Sequence, residues 1–122
     1  MPEAKKFSLE RVIKTLIGLG LSNIEAEIYV HLAAIGPATV RNIIRGQTFD
    51  KRQTYRSLKT LQQKGIVSGN QEYPEEFSAV SFEQALDLLL EVKRELAKSL
   101  EASKAELIAD FQTEKKKTKD SN

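Results

Sequence analysis

Four residues at the front of one short stretch, Lys51, Arg52, Gln53 and Arg56 in DKRQTYRSLKTLQQKG (Asp50–Gly65), have the types and the spacing to grip a polyanion and to read it. An arginine can fork onto the two major-groove acceptors of guanine, and a glutamine can pair with both edge groups of adenine. A lysine supplies a point charge that suits phosphate, which positions a protein without reading sequence. With Leu58 at the centre of a buried helical face and about 100° per residue, Thr54, Tyr55, Leu61 and Gln62 fall within roughly 60° of it. Arg52, Gln53, Arg56, Thr60 and Gln63 fall opposite, and Lys59 falls on the flank. The reading assigns base contact to Arg52, Gln53 and Arg56. It assigns phosphate contact to Lys51, Lys59, Arg41 and Thr39, the last at the start of a neighbouring helix.

A charged helical face is ordinarily just a solvated one. Here the counter-charges are missing. Between Arg41 and Gly65 seven cations (Arg41, Arg45, Lys51, Arg52, Arg56, Lys59, Lys64) face one acid, Asp50, a local charge of +6. The whole chain carries +2, so the remainder carries −4, including Glu72, Glu75 and Glu76. Arg41–Arg45 and Arg52–Arg56 are like-charge pairs at i,i+4, which destabilise a helix slightly. Local excess of one sign is the footprint of an anionic partner.

The elements that must position this face follow from periodicity. SLERVIKTLIGLG places Leu9, Val12, Ile13, Leu16 and Ile17 on one helical face, with Ser8 as its cap. In SNIEAEIYVHLAAIG, Ser22 and Glu25 form a capping box, Ile24, Ile28, Leu32 and Ile35 recur at helical spacing, and Gly36-Pro37 ends the helix. TVRNIIRG is a short third helix capped by Thr39. The DKRQ helix, residues 50–64, follows after a turn, which makes a helix-turn-helix. GIVS and FSAV then read as a β-hairpin around the turn-rich GNQEYPEE. A helix-turn-helix followed by a hairpin is the layout of a winged helix.

From Ser81, capped with Gln84, to about Thr113 nothing breaks a helix. Leu86, Leu89, Leu96, Leu100 and Leu107 recur by threes, fours and sevens, with Lys93, Ser103 and Asp110 on the same seam. At 1.5 Å per residue such a helix is about 50 Å long. An isolated amphipathic helix is marginal in water, so Leu89, Leu96, Leu100, Leu107 and Phe111 are assigned to pairing with a second copy. The expected organisation is a winged-helix domain over residues 1–80, a dimerisation helix over 81–114 and a disordered basic tail over 115–122. Two-fold pairing would set two recognition helices about 34 Å apart, one turn of DNA. The fold class is mainly α with a small β-hairpin.

Other chemistries find no support. The chain of 122 residues has no Cys and one His, His31, for which a surface pair with Glu27 is expected. A zinc site needs several convergent ligands, so no metal, cofactor or catalytic residue is assigned, and no enzyme activity is expected. GLG at 18–20 lacks both the preceding strand and the third glycine of a dinucleotide fingerprint. No apolar run approaches the ~20 residues that span a bilayer, and the N-terminus lacks a signal-peptide core. A cytoplasmic protein, bound to the nucleoid when on DNA, is expected.

LGLSNIEAEIYVHLAAIGPATVRNI, TYRSLKTLQQKGIV and FSAVSFEQAL together resemble the winged-helix domain of the archaeal TrmB-type transcription regulators, from about Leu16 to Lys93. The resemblance implies a homodimeric, DNA-binding regulator whose third motif helix enters the major groove, led by Lys51, Arg52, Gln53 and Arg56. Asp50 stands where members often have Pro, which still suits a helix start. Full-length members carry a C-terminal sugar-binding domain after a linker helix. This sequence ends in a long helix and basic tail, so sugar sensing is not expected, and no effector is assigned. Two other readings compete: a winged-helix protein-interaction module using the acidic wing, and a chromatin-like architectural binder of low sequence preference.

Overall fold

In the computed structural model, which describes residues 2–120 and their side chains over 9–119, helices dominate and three short strands form one sheet. α1 spans Pro2–Gly18, α2 Asn23–Ile35, β1 Ala38–Thr39, α3 Val40–Ile44 and α4 Lys51–Gln63. β2 (Val67–Gly69), β3 (Glu76–Ala79) and α5 (Phe82–Asp120) complete the chain. It divides into two compact units, Met1–Leu90 and Glu91–Asn122.

The first unit is a winged helix-turn-helix. Its helix starts are chemically specified. The Ser22 hydroxyl accepts from the Glu25 amide at 3.1 Å, and the Glu25 carboxylate accepts from the Ser22 amide at 2.9 Å. Ser81 and Gln84 repeat the device at the start of α5. Gly36, at φ 83°, closes α2 in a backbone region that a side chain would disfavour, and its amide donates to Leu32. α1 begins earlier than the sequence suggests. Pro2 suits a first turn, and the helix runs through Ser8 rather than starting there.

The sheet is antiparallel in the order β1-β3-β2, with Ala38 opposite Phe77 and Val67 opposite Ala79. It has one strand more than the expected hairpin, since β1 joins β3 through only two residues. Phe77 is fully buried where β1, β3 and β2 meet, beside a core of Leu16, Ile28, Leu32, Ile43, Leu58 and Leu61. Tyr29 lies in that core, and its hydroxyl donates to the Val80 carbonyl at 2.6 Å, tying α2 to the end of the wing. A bond of this kind contributes about 1 kcal/mol net. Burial pushes the Tyr29 hydroxyl above its ordinary pKa. The expected Glu27–His31 pair does not form, and Glu27 accepts instead from Asn23 at 3.4 Å.

The boundary between the units falls after Leu90 rather than at residue 80, because the first turns of α5 belong to the core. Ala85 is fully buried and Leu89 is 4% exposed. Leu89, assigned from the sequence to dimerisation, is therefore a core residue of its own domain. The second unit is the remainder of α5. It stays helical to Asp120, whereas the sequence suggests a disordered tail from residue 115. Lysine is a good helix former, and Lys117 and Lys119 in the last turn complement the helix dipole. Glu91–Arg94, Glu95–Lys98 and Glu114–Lys117 pair at i,i+3 on its surface.

Candidate nucleic-acid interface

α4 has the placement the sequence demands. Leu58, Leu61 and Thr54 are buried, while Lys51, Arg52, Gln53 and Arg56 are exposed. Asp50 caps the helix, its carboxylate accepting from the Gln53 amide at 2.7 Å. The Gln53 side chain returns the contact, its Oε1 accepting from the Asp50 amide at 3.4 Å. Gln53 thus lies at the helix start as assigned, but its carbonyl is engaged in a capping box. Its NH₂ remains free, and a two-pronged adenine contact would require releasing the cap.

Among the described residues, Arg41, Arg45, Lys51, Arg52 and Arg56 have no ion-pair partner. Folding supplies acids for the other two cations of this basic stretch. Lys64 meets Glu25 at 3.3 Å, and Lys59 meets Glu75 of the wing at 3.2 Å. The local excess identified in the sequence is thereby reduced to five cations, all around the start of α4 and on α3.

Lys59 is the main departure from the sequence assignment. Rather than projecting free toward phosphate, its ammonium bonds Glu75 and lies 5.1 Å from the Tyr55 ring centroid and 5.7 Å from that of Phe77. The hydrogen bond to Glu75 holds its pKa above the ordinary lysine value. Tyr55 departs too. Its helical angle places it near the core face, yet it is 47% exposed, because beside it stands the wing rather than the core.

Three phosphate candidates converge. Thr39, Arg41 and Lys51 line a cleft of about 530 Å³, and Tyr55, Glu72 and Tyr73 also line it. Thr39 already serves as the α3 cap, its hydroxyl accepting from the Asn42 amide at 3.3 Å. Tyr73 at the wing tip is fully exposed and precedes Pro74 through a cis peptide bond. The interface therefore has a cationic side, formed by α3 and the start of α4, and an acidic side formed by the wing.

In the second unit, the assigned Leu96, Leu100, Leu107 and Phe111 are all exposed, by 50% for each leucine and 67% for Phe111. Val92 and Ile108, which the sequence reading omitted, are exposed with them. Val92, Leu96 and Leu100 recur eleven residues later as Ser103, Leu107 and Phe111. That spacing fits 3.67 residues per turn better than the heptad seam through Lys93 and Asp110.

The family described as "Sugar-specific transcriptional regulator TrmB" matches residues 16–83, more than half of the chain. No curated protein matches the sequence. Among solved structures, one described as TrmBL2, an archaeal chromatin protein with a novel mode of DNA binding, is similar with a TM-score of 0.76 at 21% identity. The match covers 84% of this chain but 41% of that one, so this chain spans well under half of that neighbour. A transcription regulator of the MarR family is similar with a TM-score of 0.53 at 15% identity, covering 98% of this chain and 83% of that one. The organohalide-sensing regulator RdhR, in its 2,4-dichlorophenol-bound form, gives 0.50 at 21% identity, with 91% and 73% covered. At these identities the three likenesses establish the winged-helix fold.

Proposed function

We propose, from the premise that this chain belongs to the TrmB family of transcriptional regulators, that it is a homodimeric, sequence-specific binder of double-stranded DNA with the start of α4 in the major groove. The observation that carries this reading is the set of five cations left without an acidic partner among the described residues. They cluster on α3 and the first turns of α4, where helix N-terminal residues reach base edges in this motif. Arg52 and Arg56 read bases, Gln53 assists, and Thr39, Arg41 and Lys51 hold phosphates. Arg45, on the same stretch, adds to the attraction.

The dimer reading rests on the exposed stripe of α5. Five large apolar side chains, Val92, Leu96, Leu100, Leu107 and Phe111, recur with Ser103 on one eleven-residue register. A stripe of that period suits a gently right-handed pairing with a second copy, and its burial would offset the helix's own marginal stability.

The test is affinity for mixed genomic DNA fragments as a function of salt. With three to five phosphate contacts per protomer, affinity should fall about 10³–10⁵-fold between 50 and 200 mM salt. A folded protein that fails to bind at low salt would contradict the reading. It would favour the rival function of a protein-interaction module, which the exposed Glu72, Tyr73 and Glu76 of the wing support. Strong binding with little preference among fragments would instead favour architectural binding.

A further inference from the structure

We propose that Glu75 limits the phosphate contacts of the DNA interface, withholding Lys59 from phosphate so that only the first half of α4 engages DNA. The proposal rests on the DNA-binding reading above and goes beyond it, since it assigns a role to an acid in a surface built to meet a polyanion.

Lys59 stands one turn beyond Tyr55 and Arg56, where it would extend the cationic face along α4. Three contacts hold it back instead: the 3.2 Å bond to Glu75 and the two aromatic rings. Glu75 is itself held by the wing. The Asn70 side-chain oxygen accepts from the amides of both Glu72 and Glu76, at 3.1 and 3.0 Å, and the Asn70 amide donates to the Glu76 carbonyl. Gln71 takes a left-handed φ of 61° to make this turn. The Glu75 side chain, 18% exposed, then folds back over Gly69, where any Cβ would collide with its carboxylate and with the Gln62 amide.

Energetics argue against stability as the reason for this arrangement. Glu75 Oε2 is buried with no hydrogen-bond partner, and an unsatisfied buried oxygen of a charged group is costly. An apolar wing residue would pack there without that cost. What the carboxylate supplies is a counter-charge. Moving Lys59 onto a phosphate would break the pair and leave Glu75 uncompensated, which is unfavourable. One phosphate contact per protomer is thus removed from sequence-independent attraction, while the base-reading Arg52 and Arg56 are untouched. Affinity is thereby lowered by about the same factor for every sequence, and its dependence on salt becomes shallower.

The salt dependence of binding to mixed-sequence DNA tests this directly. In Glu75→Gln, Lys59 is released, and the slope of log affinity against log salt should steepen by about 0.9 per protomer. Preference among genomic fragments should stay as in wild type, because a phosphate contact strengthens all sequences alike. Lys59→Gln alone should leave the slope no shallower than wild type, and the double variant should return to it. Gly69→Ala supplies a second route: the atoms in its way are side-chain tips, so it displaces the carboxylate and should steepen the slope without removing the charge. An unchanged slope in Glu75→Gln, with a slope shallower by about 0.9 per protomer in Lys59→Gln, would place Lys59 on phosphate already and overturn the proposal. Loss of wild-type binding altogether would overturn the DNA reading beneath it.

Discussion

Replacing Arg52 and Arg56 together by alanine should weaken binding to double-stranded DNA by about 100-fold or more and leave the fold as stable as before. A good bidentate contact to a base is worth about 1–3 kcal/mol of discrimination, and 1.4 kcal/mol is a factor of 10. Two lost contacts of middling quality therefore remove about two or more orders of magnitude. The stability half of the prediction is equally definite. Both side chains are exposed and have no ion-pair partner among the described residues. Alanine is the best helix former, and removing a like-charge i,i+4 pair relieves a small repulsion. Thermal unfolding of the variant should match wild type or lie slightly higher. A variant that binds normally would assign the cations of α4 to solubility alone. One that unfolds would show a packing role that their exposure does not suggest.

Aspartates at Leu100 and Leu107 should convert a dimer into a monomer. Each leucine is 50% exposed in the single chain, so the substitutions cost the isolated helix little. In a paired helix the same positions would be covered, and four carboxylates would be buried without partners, at several kcal/mol. Light scattering should report a particle of twice 13.7 kDa for wild type and 13.7 kDa for the variant. Affinity for a fragment carrying two half-sites should fall by about 10²–10⁴-fold, because the second domain's binding is no longer intramolecular. Helicity should fall too, since an unpaired helix of this kind is marginal. A wild-type monomer, or a variant that stays dimeric, would move the dimer contact away from the α5 stripe.

Much of the architecture was legible because local chemistry specified it. Ser22–Glu25 and Ser81–Gln84 announce helix starts, Gly36-Pro37 announces an end, and the switch from helical period to GIVS and FSAV announces the wing. What escaped the sequence was long-range. β1 is two residues that gain a strand only by lying beside β3, so no periodic signal could reveal it. A helical wheel gives the angle of Tyr55 and Lys59 but not what stands opposite them. Opposite them is Glu75, 16 residues after Lys59 in sequence and 3.2 Å away in space. The acids of the wing could be seen to oppose the basic stretch in sign, and Gly69 beside them could have hinted at a close approach. Leu89 was misassigned for a related reason. Its spacing belongs equally to the core face of the first turns of α5 and to the exposed stripe beyond, and only packing separates the two.

The proposed major-groove placement of α4 is open to a direct chemical test on a fragment selected from genomic DNA. Dimethyl sulfate methylates guanine at N7 in the major groove and adenine at N3 in the minor groove. The proposed placement predicts that N7 methylation at guanines in two clusters, about one helical turn apart, blocks binding, and that Arg52→Ala relieves part of the block. Interference confined to adenine N3, or none at either groove, would contradict it.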